Sequence, residues 1–223
     1  EVKSLVHLSL IPGVGVQTIR CLLEAFASAQ KALNATSKEL AQIDGLTPDA
    51  RQRLITGREH VSVDSEIELV QAHGCHIVTI NDASYPPLLK EISDPPPLLY
   101  IKGQLQPQDA TSIAIVGSRS PTNYGKTTSH QLSYQLATQG VTIVSGFARG
   151  IDTTAHQGAL EAGGRTIAVM GNGLSVVYPE TNRELADEII QSGALISEFP
   201  MTMPPIATNF PRRNRVISGL TLG

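Results

Sequence analysis

From Thr111 onward the chain repeats one unit: a short apolar run, a loop of small residues, then a helical pattern. Ile113–Val116, Val141–Val144, Thr166–Met170 and Ala194–Ser197 read as strands, and residues 126–138, 151–162 and 182–191 as helices. That alternation leaves few architectures open. A strand returning parallel to its predecessor needs a crossover, and the intervening helix supplies it. Runs that are apolar throughout belong to a sheet buried on both faces. Gly140, Gly163 and Gly193 stand where helices end on a left-handed glycine. The expectation is an α/β fold with a Rossmann-like, doubly wound sheet.

Residues 1–70 carry a different period. In Gln17–Phe26 the apolar positions Ile19, Leu22, Leu23 and Phe26 recur at helical spacing after the segment IPGVG, residues 11–15. A weaker copy follows, with Ile43 to Leu46 (IDGL) leading into Pro48–Ile55, where Pro48 suits a first helical turn. A small all-helical domain over 1–70, of the SAM or helix-hairpin-helix type, is expected before a Rossmann-like domain over 71–223. The IPGVG piece fits either a hairpin whose glycines admit a phosphate or a tight turn between packed helices. After Gly74 the pattern changes to a strand at Cys75–Ile80, a short helix within 85–92, and a stiff Pro95–Pro97 connector.

Ligands of open parallel sheets bind at the carboxyl ends of the strands. Three loops fall there. The first holds Gly117, Ser118, Arg119 and Ser120; the second holds Ser145, Gly146, Arg149 and Gly150; the third runs from Gly171 to Pro179 and on to Asn182 and Arg183. Hydroxyls, guanidinium forks and helix amides suit a phosphate; a loop arginine bonded to neighbouring carbonyls is the competing reading. Tyr178 fits a base-stacking role or simple packing. Asp152 and His156, four apart after the second loop, read as a structural bridge between loop and helix, since no third ligand or nucleophile accompanies them. A final segment, residues 209–219, groups Arg212, Arg213, Asn214 and Arg215 near a helix start. Three cations there oppose the helix dipole and call for a negative partner: Asp152, Glu198 or a phosphate.

Several classes drop out. The dinucleotide fingerprint GxGxxG is missing, and Tyr124–Thr128 resembles the end of a P-loop but has Ser120 where the first glycine belongs. No cofactor, metal site or catalytic constellation is indicated. Net charge is −3 with a pI near 6.1, unlike a protein coated with positive charge. No apolar run approaches the roughly 20 residues of a membrane helix. Two unpaired cysteines and no leader-like start point to the cytoplasm.

Five segments in order, GSRSPTNYG, SGFARGID with Ala155 and His156, GGRTIAV with the following glycine loop, the strand at 194–197 with Glu198 and Pro200, and FPRRNRVISGL, resemble the DNA-processing protein A family (DprA, also called Smf). The resemblance covers nearly the whole chain, with residues 1–70 the weaker part. It implies a non-enzymatic binder of single-stranded DNA that protects incoming strands, helps load the RecA recombinase during natural transformation, and forms a homodimer. Carried over by motif, the pocket comprises Gly117, Ser118, Arg119, Arg149, Asn182, Arg183, Arg212, Arg213 and Arg215, with Ser145, Gly146, Gly150 and Asn214 beside them. Phe147 departs from the family pattern, where a smaller residue is commoner, and is expected to shield the pocket or offer a stacking face. The family's Rossmann domain continues past the equivalent of Gly223, so a truncated sheet is expected. The alternative is a nucleotide-hydrolysing relative of nucleoside monophosphate phosphoribohydrolases; their PGGxGTxxE motif has only Gly163–Thr166 as a partial counterpart.

Overall fold

The computed structural model describes residues 1–223. Six helices come first: α1 (Val2–Leu10), α2 (Val16–Phe26), α3 (Ala29–Asn34), α4 (Ser37–Ala41), α5 (Pro48–Gly57) and α6 (Val63–Ala72). The two glycine turns have the same local shape. Gly13 (φ +79°) precedes α2 and Gly45 (φ +81°) precedes α5, in the left-handed region that L side chains avoid. Pro48 occupies the first turn of α5 behind the Thr47 cap, as its missing N–H favours. The Arg53 side chain lies directly over Gly13, so the first hairpin is covered from α5.

A six-stranded sheet follows, built from β1 (Cys75–Thr79), β2 (Leu98–Gly103), β3 (Ser112–Ala114), β4 (Thr142–Ser145), β5 (Thr166–Val169) and β6 (Ala194–Ser197). The remaining helices are α7 (Pro87–Lys90), α8 (Asn123–Thr138), α9 (Ile151–Glu161), α10 (Arg183–Ser192) and α11 (Asn209–Leu220). Strand order is β1-β2-β6-β5-β4-β3. β3 to β6 are parallel, and β2 adds antiparallel to β6, with β1 antiparallel to β2. The last two residues lie beside β3, where Leu222 N–H donates to Ser112 and Gly223 accepts from Ala114.

Period-two alternation assigns the faces. Leu98, Tyr100, Ala168, Met170 and Leu195 point into one core with α10 and the helical segment. Leu99, Ile101, Ile167, Val169, Ala194 and Ile196 point to the other, against α11 and α7. A third, smaller cluster joins α8 and α9 to Ile143. The helical segment thus shares an uninterrupted apolar core of 27 buried residues with one sheet face. Its last helix runs to Ala72, two residues past the boundary read from the sequence.

Gly140 and Gly163 are left-handed helix ends, as the sequence suggests. Gly193 is not: its φ is −152°, open to any residue. It is glycine because the backbones of β5 and β6 converge there, and a Cβ would lie 1.9 Å from the Thr166 carbonyl oxygen. Two substitutions separate these causes. Gly163→Ala, with open space around it, should cost only the left-handed strain of about 1–2 kcal/mol in urea unfolding. Gly193→Ala must push two strands apart and should cost about 3 kcal/mol or more; equal losses would contradict the close-approach account.

Candidate functional site

The loops after β3, β4 and β5 and the start of α11 meet at the carboxyl rim of the sheet, the place parallel strands reserve for ligands. Two buried charges hold that rim. The Asp152 carboxylate, in the first turn of α9, accepts the amides of Gly117 (3.4 Å) and Ala148 (3.2 Å), joining the first loop to the second. Burial pushes its acid up and these amides pull it down, with help from the Arg213 charge. Arg213 itself is 4% exposed and donates to the carbonyls of Gly146 (2.6 Å) and Val169, tying α11 to the ends of β4 and β5. Burial lowers its guanidinium to about 10, opposed by Asp152. Gly146 is squeezed between them, with Arg213 Nη2 2.6 Å and Asp152 Oδ2 2.8 Å from where a Cβ would stand.

The three α11 arginines expected to form one electropositive edge are divided. Arg213 is a backbone tie. Arg215, on the far side of the helix, pairs with Glu198 and with Asp94 (3.0 Å). Arg212 is 46% exposed, 3.6 Å from the same Glu198 and stacked over the Phe199 ring at 5.3 Å. Glu198, the partner anticipated from the sequence, is raised by burial and lowered in turn by Arg215 and Arg212. Helical geometry explains the split: residues 212 and 215 share a side, while 213 points about 100° away.

Other predicted positions also have partners within the protein. Ser145 is buried and donates to the Ile115 carbonyl (2.6 Å). Asn182 is buried and donates to Phe147 O and Thr153 Oγ1. Arg183 pairs with Glu180 at 2.6 Å on the surface. Gly150 (φ +87°) packs on the Ser118 carbonyl, which accepts the Ile151 amide, so the α9 N-terminus is occupied by protein. Phe147 borders the smaller hollow at that rim but offers no stacking face: it is fully buried in a left-handed conformation (φ +62°), 6.0 Å from the His156 ring. Of the expected Asp152–His156 bridge, only Asp152 links loops. His156 bonds back into the sheet, its Nδ1 2.6 Å from Thr166 Oγ1.

What remains free is Arg119, Arg149 and two aromatic rings, while Asn214 Oδ1 accepts the Arg213 Nε–H at 3.3 Å. Arg119 and Arg149 are exposed and neither belongs to any ion pair. The amides of Ser118, Arg119 and Arg149 have no protein acceptor. Both arginines line a hollow of about 390 Å³ with Gly171, Tyr178 and Phe210. A larger hollow of about 950 Å³ opens on the other side of Arg119 and Phe210, lined also by Asp152 and Asn214. Arg119 lies over the Phe210 ring at 5.4 Å, and Tyr178 meets that ring at 5.9 Å. Phe210 is a site residue that sequence reasoning missed. Its signal was Gly171, where a Cβ would stand 2.6 Å from the Phe210 ring.

An open Rossmann-like sheet with unpaired arginines, bare amides and aromatic rings at its carboxyl rim defines a protein of the α/β class whose rim chemistry suits an anionic ligand. The family model for DNA recombination-mediator protein A matches residues 76–223. The Smf protein of Synechocystis is 37% identical over 217 residues, covering 96% of this chain and 54% of the relative; that of Escherichia coli is 42% identical over 183 residues, covering 82% and 49%. The crystal structure of DNA processing protein A from Streptococcus pneumoniae superposes with a TM-score of 0.82 at 31% identity, over 98% of this chain and 75% of that one. DNA processing protein A from Helicobacter pylori, described for its single-stranded DNA binding mode, gives 0.59 at 34% identity over 66% of each chain. The chain belongs to the DNA recombination-mediator protein A (DprA/Smf) family, and it spans about half the length of the curated relatives it matches.

The buried imidazole makes the rim's support sensitive to acid. His156 is held neutral, its pKa lowered from 6.5 to about 3 by burial and then by the Arg213 charge. Because the folded pKa lies below the unfolded one, its contribution is complete above pH 6.5 and is lost as pH falls toward 3. Relative to His156→Gln, the wild type should lose about 2 kcal/mol between pH 7 and 5 in denaturant unfolding. Parallel pH profiles for the two proteins would contradict this assignment.

Proposed function

We propose that this chain is the single-stranded DNA-binding part of a recombination mediator, one that protects incoming single strands and helps load the RecA recombinase during natural transformation. On this reading it acts in the cytoplasm, as a homodimer, by binding rather than by catalysis. No helix is long and apolar enough to cross a membrane. The observation that carries the proposal is the pair of exposed, unpaired arginines, Arg119 and Arg149, on one hollow beside the Tyr178–Phe210 rings. Guanidinium forks and bare amides match backbone phosphates, and the rings match the faces of unpaired bases, which a duplex keeps stacked. The single-stranded DNA binding mode described for the Helicobacter pylori relative supports the same ligand.

Gly117, Ser118, Arg119, Arg149, Arg212 and Asn214 are the proposed contacts; Ser145, Gly146, Gly150, Asn182, Arg213 and Arg215 shape the rim behind them. Sequence preference should be weak, because phosphate contacts carry no base information.

Fluorescence anisotropy with labelled single- and double-stranded oligonucleotides across a salt series tests this. The single strand should bind more tightly, and Arg119→Ala with Arg149→Ala should shrink the log–log salt slope by about 0.7 for each phosphate no longer neutralised. An unchanged slope, or preference for duplex, would sink the assignment.

A further inference from the structure

The two rings of the rim stand at the ends of different loops, residues 170–179 after β5 and residues 198–208 after β6. These loops are zipped together by backbone. The Met201 carbonyl accepts both the amide of Ser175 (3.1 Å) and its hydroxyl (2.5 Å), and the Met203 carbonyl accepts the Gly173 amide (2.9 Å). A Cβ at Gly173 would stand 2.0 Å from Pro200 O and 2.2 Å from Met201 O, so the two backbones approach closely at the zip.

The zip is held from a distant part of the chain. Met201 N–H donates at 2.7 Å to Oε1 of Glu66, 135 residues earlier on α6 of the helical segment. Glu66 is 5% exposed, forms no ion pair, and lies beside the fully buried Tyr100, whose phenol is pushed up by burial and by the Glu66 charge. A carboxylate is costly to bury among apolar side chains unless something needs its acceptor. Besides the adjacent Tyr100 phenol, the group that uses it is one loop amide, whose carbonyl on the same residue anchors the neighbouring loop.

We infer that Glu66 is a positioning residue for the DNA-binding rim: through Met201 and Ser175 the helical segment sets the relation between the loops leading to Tyr178 and Phe210. Its effect on DNA rests on the function proposed above; its effect on the loops does not. On that reading the helical segment takes part in binding through the loops it holds.

Amide hydrogen exchange on the free, full chain, read by mass spectrometry, tests the positioning itself. Glu66→Leu removes the acceptor, Glu66→Gln keeps a carbonyl in its place, and Gly173→Ala breaks the zip at the other end. In Glu66→Leu, peptides over 172–179 and 200–210 should exchange about tenfold faster or more, the order expected when a buried amide is left without its acceptor. Peptides over β4 should be unchanged, Glu66→Gln should resemble the wild type, and Gly173→Ala should loosen the same two loops. Unchanged loops in Glu66→Leu, or uniform acceleration across the sheet, would overturn the inference. Anisotropy on the same variants with a labelled single-stranded oligonucleotide then separates the two claims. Weaker binding by Glu66→Leu but not Glu66→Gln supports both. Loosened loops in Glu66→Leu, with a wild-type protein that binds no single strand, would leave the positioning standing and remove the function.

Discussion

Backbone capture by two buried charges, Asp152 and Arg213, shapes everything above the sheet. One takes amides from the first and second loops; the other gives its guanidinium to the carbonyls at the ends of β4 and β5. Each satisfies backbone groups that the strands leave behind when they end, so neither is idle charge. Removing either side chain leaves buried backbone groups without partners, at a cost of about 1–3 kcal/mol for each. With Arg213 engaged by backbone carbonyls, the other arginines differ by their surroundings: Arg215 is neutralised by Asp94 and Glu198, Arg212 is partly engaged, and Arg119 and Arg149 are free of ion pairs.

The consequence is a chain with net charge −3 that nonetheless presents local positive charge at one rim. Placement rather than total charge makes this possible. The free guanidinium of Arg119 rests on Phe210, whose ring is admitted by the missing side chain of Gly171. Aromatic and cationic surface thus adjoin, the combination that holds single strands without reading their sequence.

Much of the fold was legible because its signals are local. Apolar runs of about four residues, separated by helical periods and glycine ends, named the parallel strands and their crossovers. The antiparallel addition of β2 to β6 was not legible, since pairing between Tyr100 and Ser197 is a long-range fact. The site was legible by loop and less so by residue. Chemistry placed arginines at the rim, but burial decided which of them face solvent, and burial of Arg213 comes from packing of α11. The split of Arg212 and Arg215 from Arg213 was available from helical spacing alone. Phe147 misled because an aromatic in a polar loop suggests a surface role, whereas its left-handed backbone turns it into the core. Glu66 carried no local signal, because its partner is an amide 135 residues away.

Photo-crosslinking measures the central claim most directly. A single-stranded oligonucleotide carrying iodouracil, irradiated in complex with the protein and mapped by mass spectrometry, should form adducts at Tyr178 and Phe210, on peptides 171–179 and 209–212. Adducts confined to residues 1–70, with the carboxyl rim unmodified, would contradict the account.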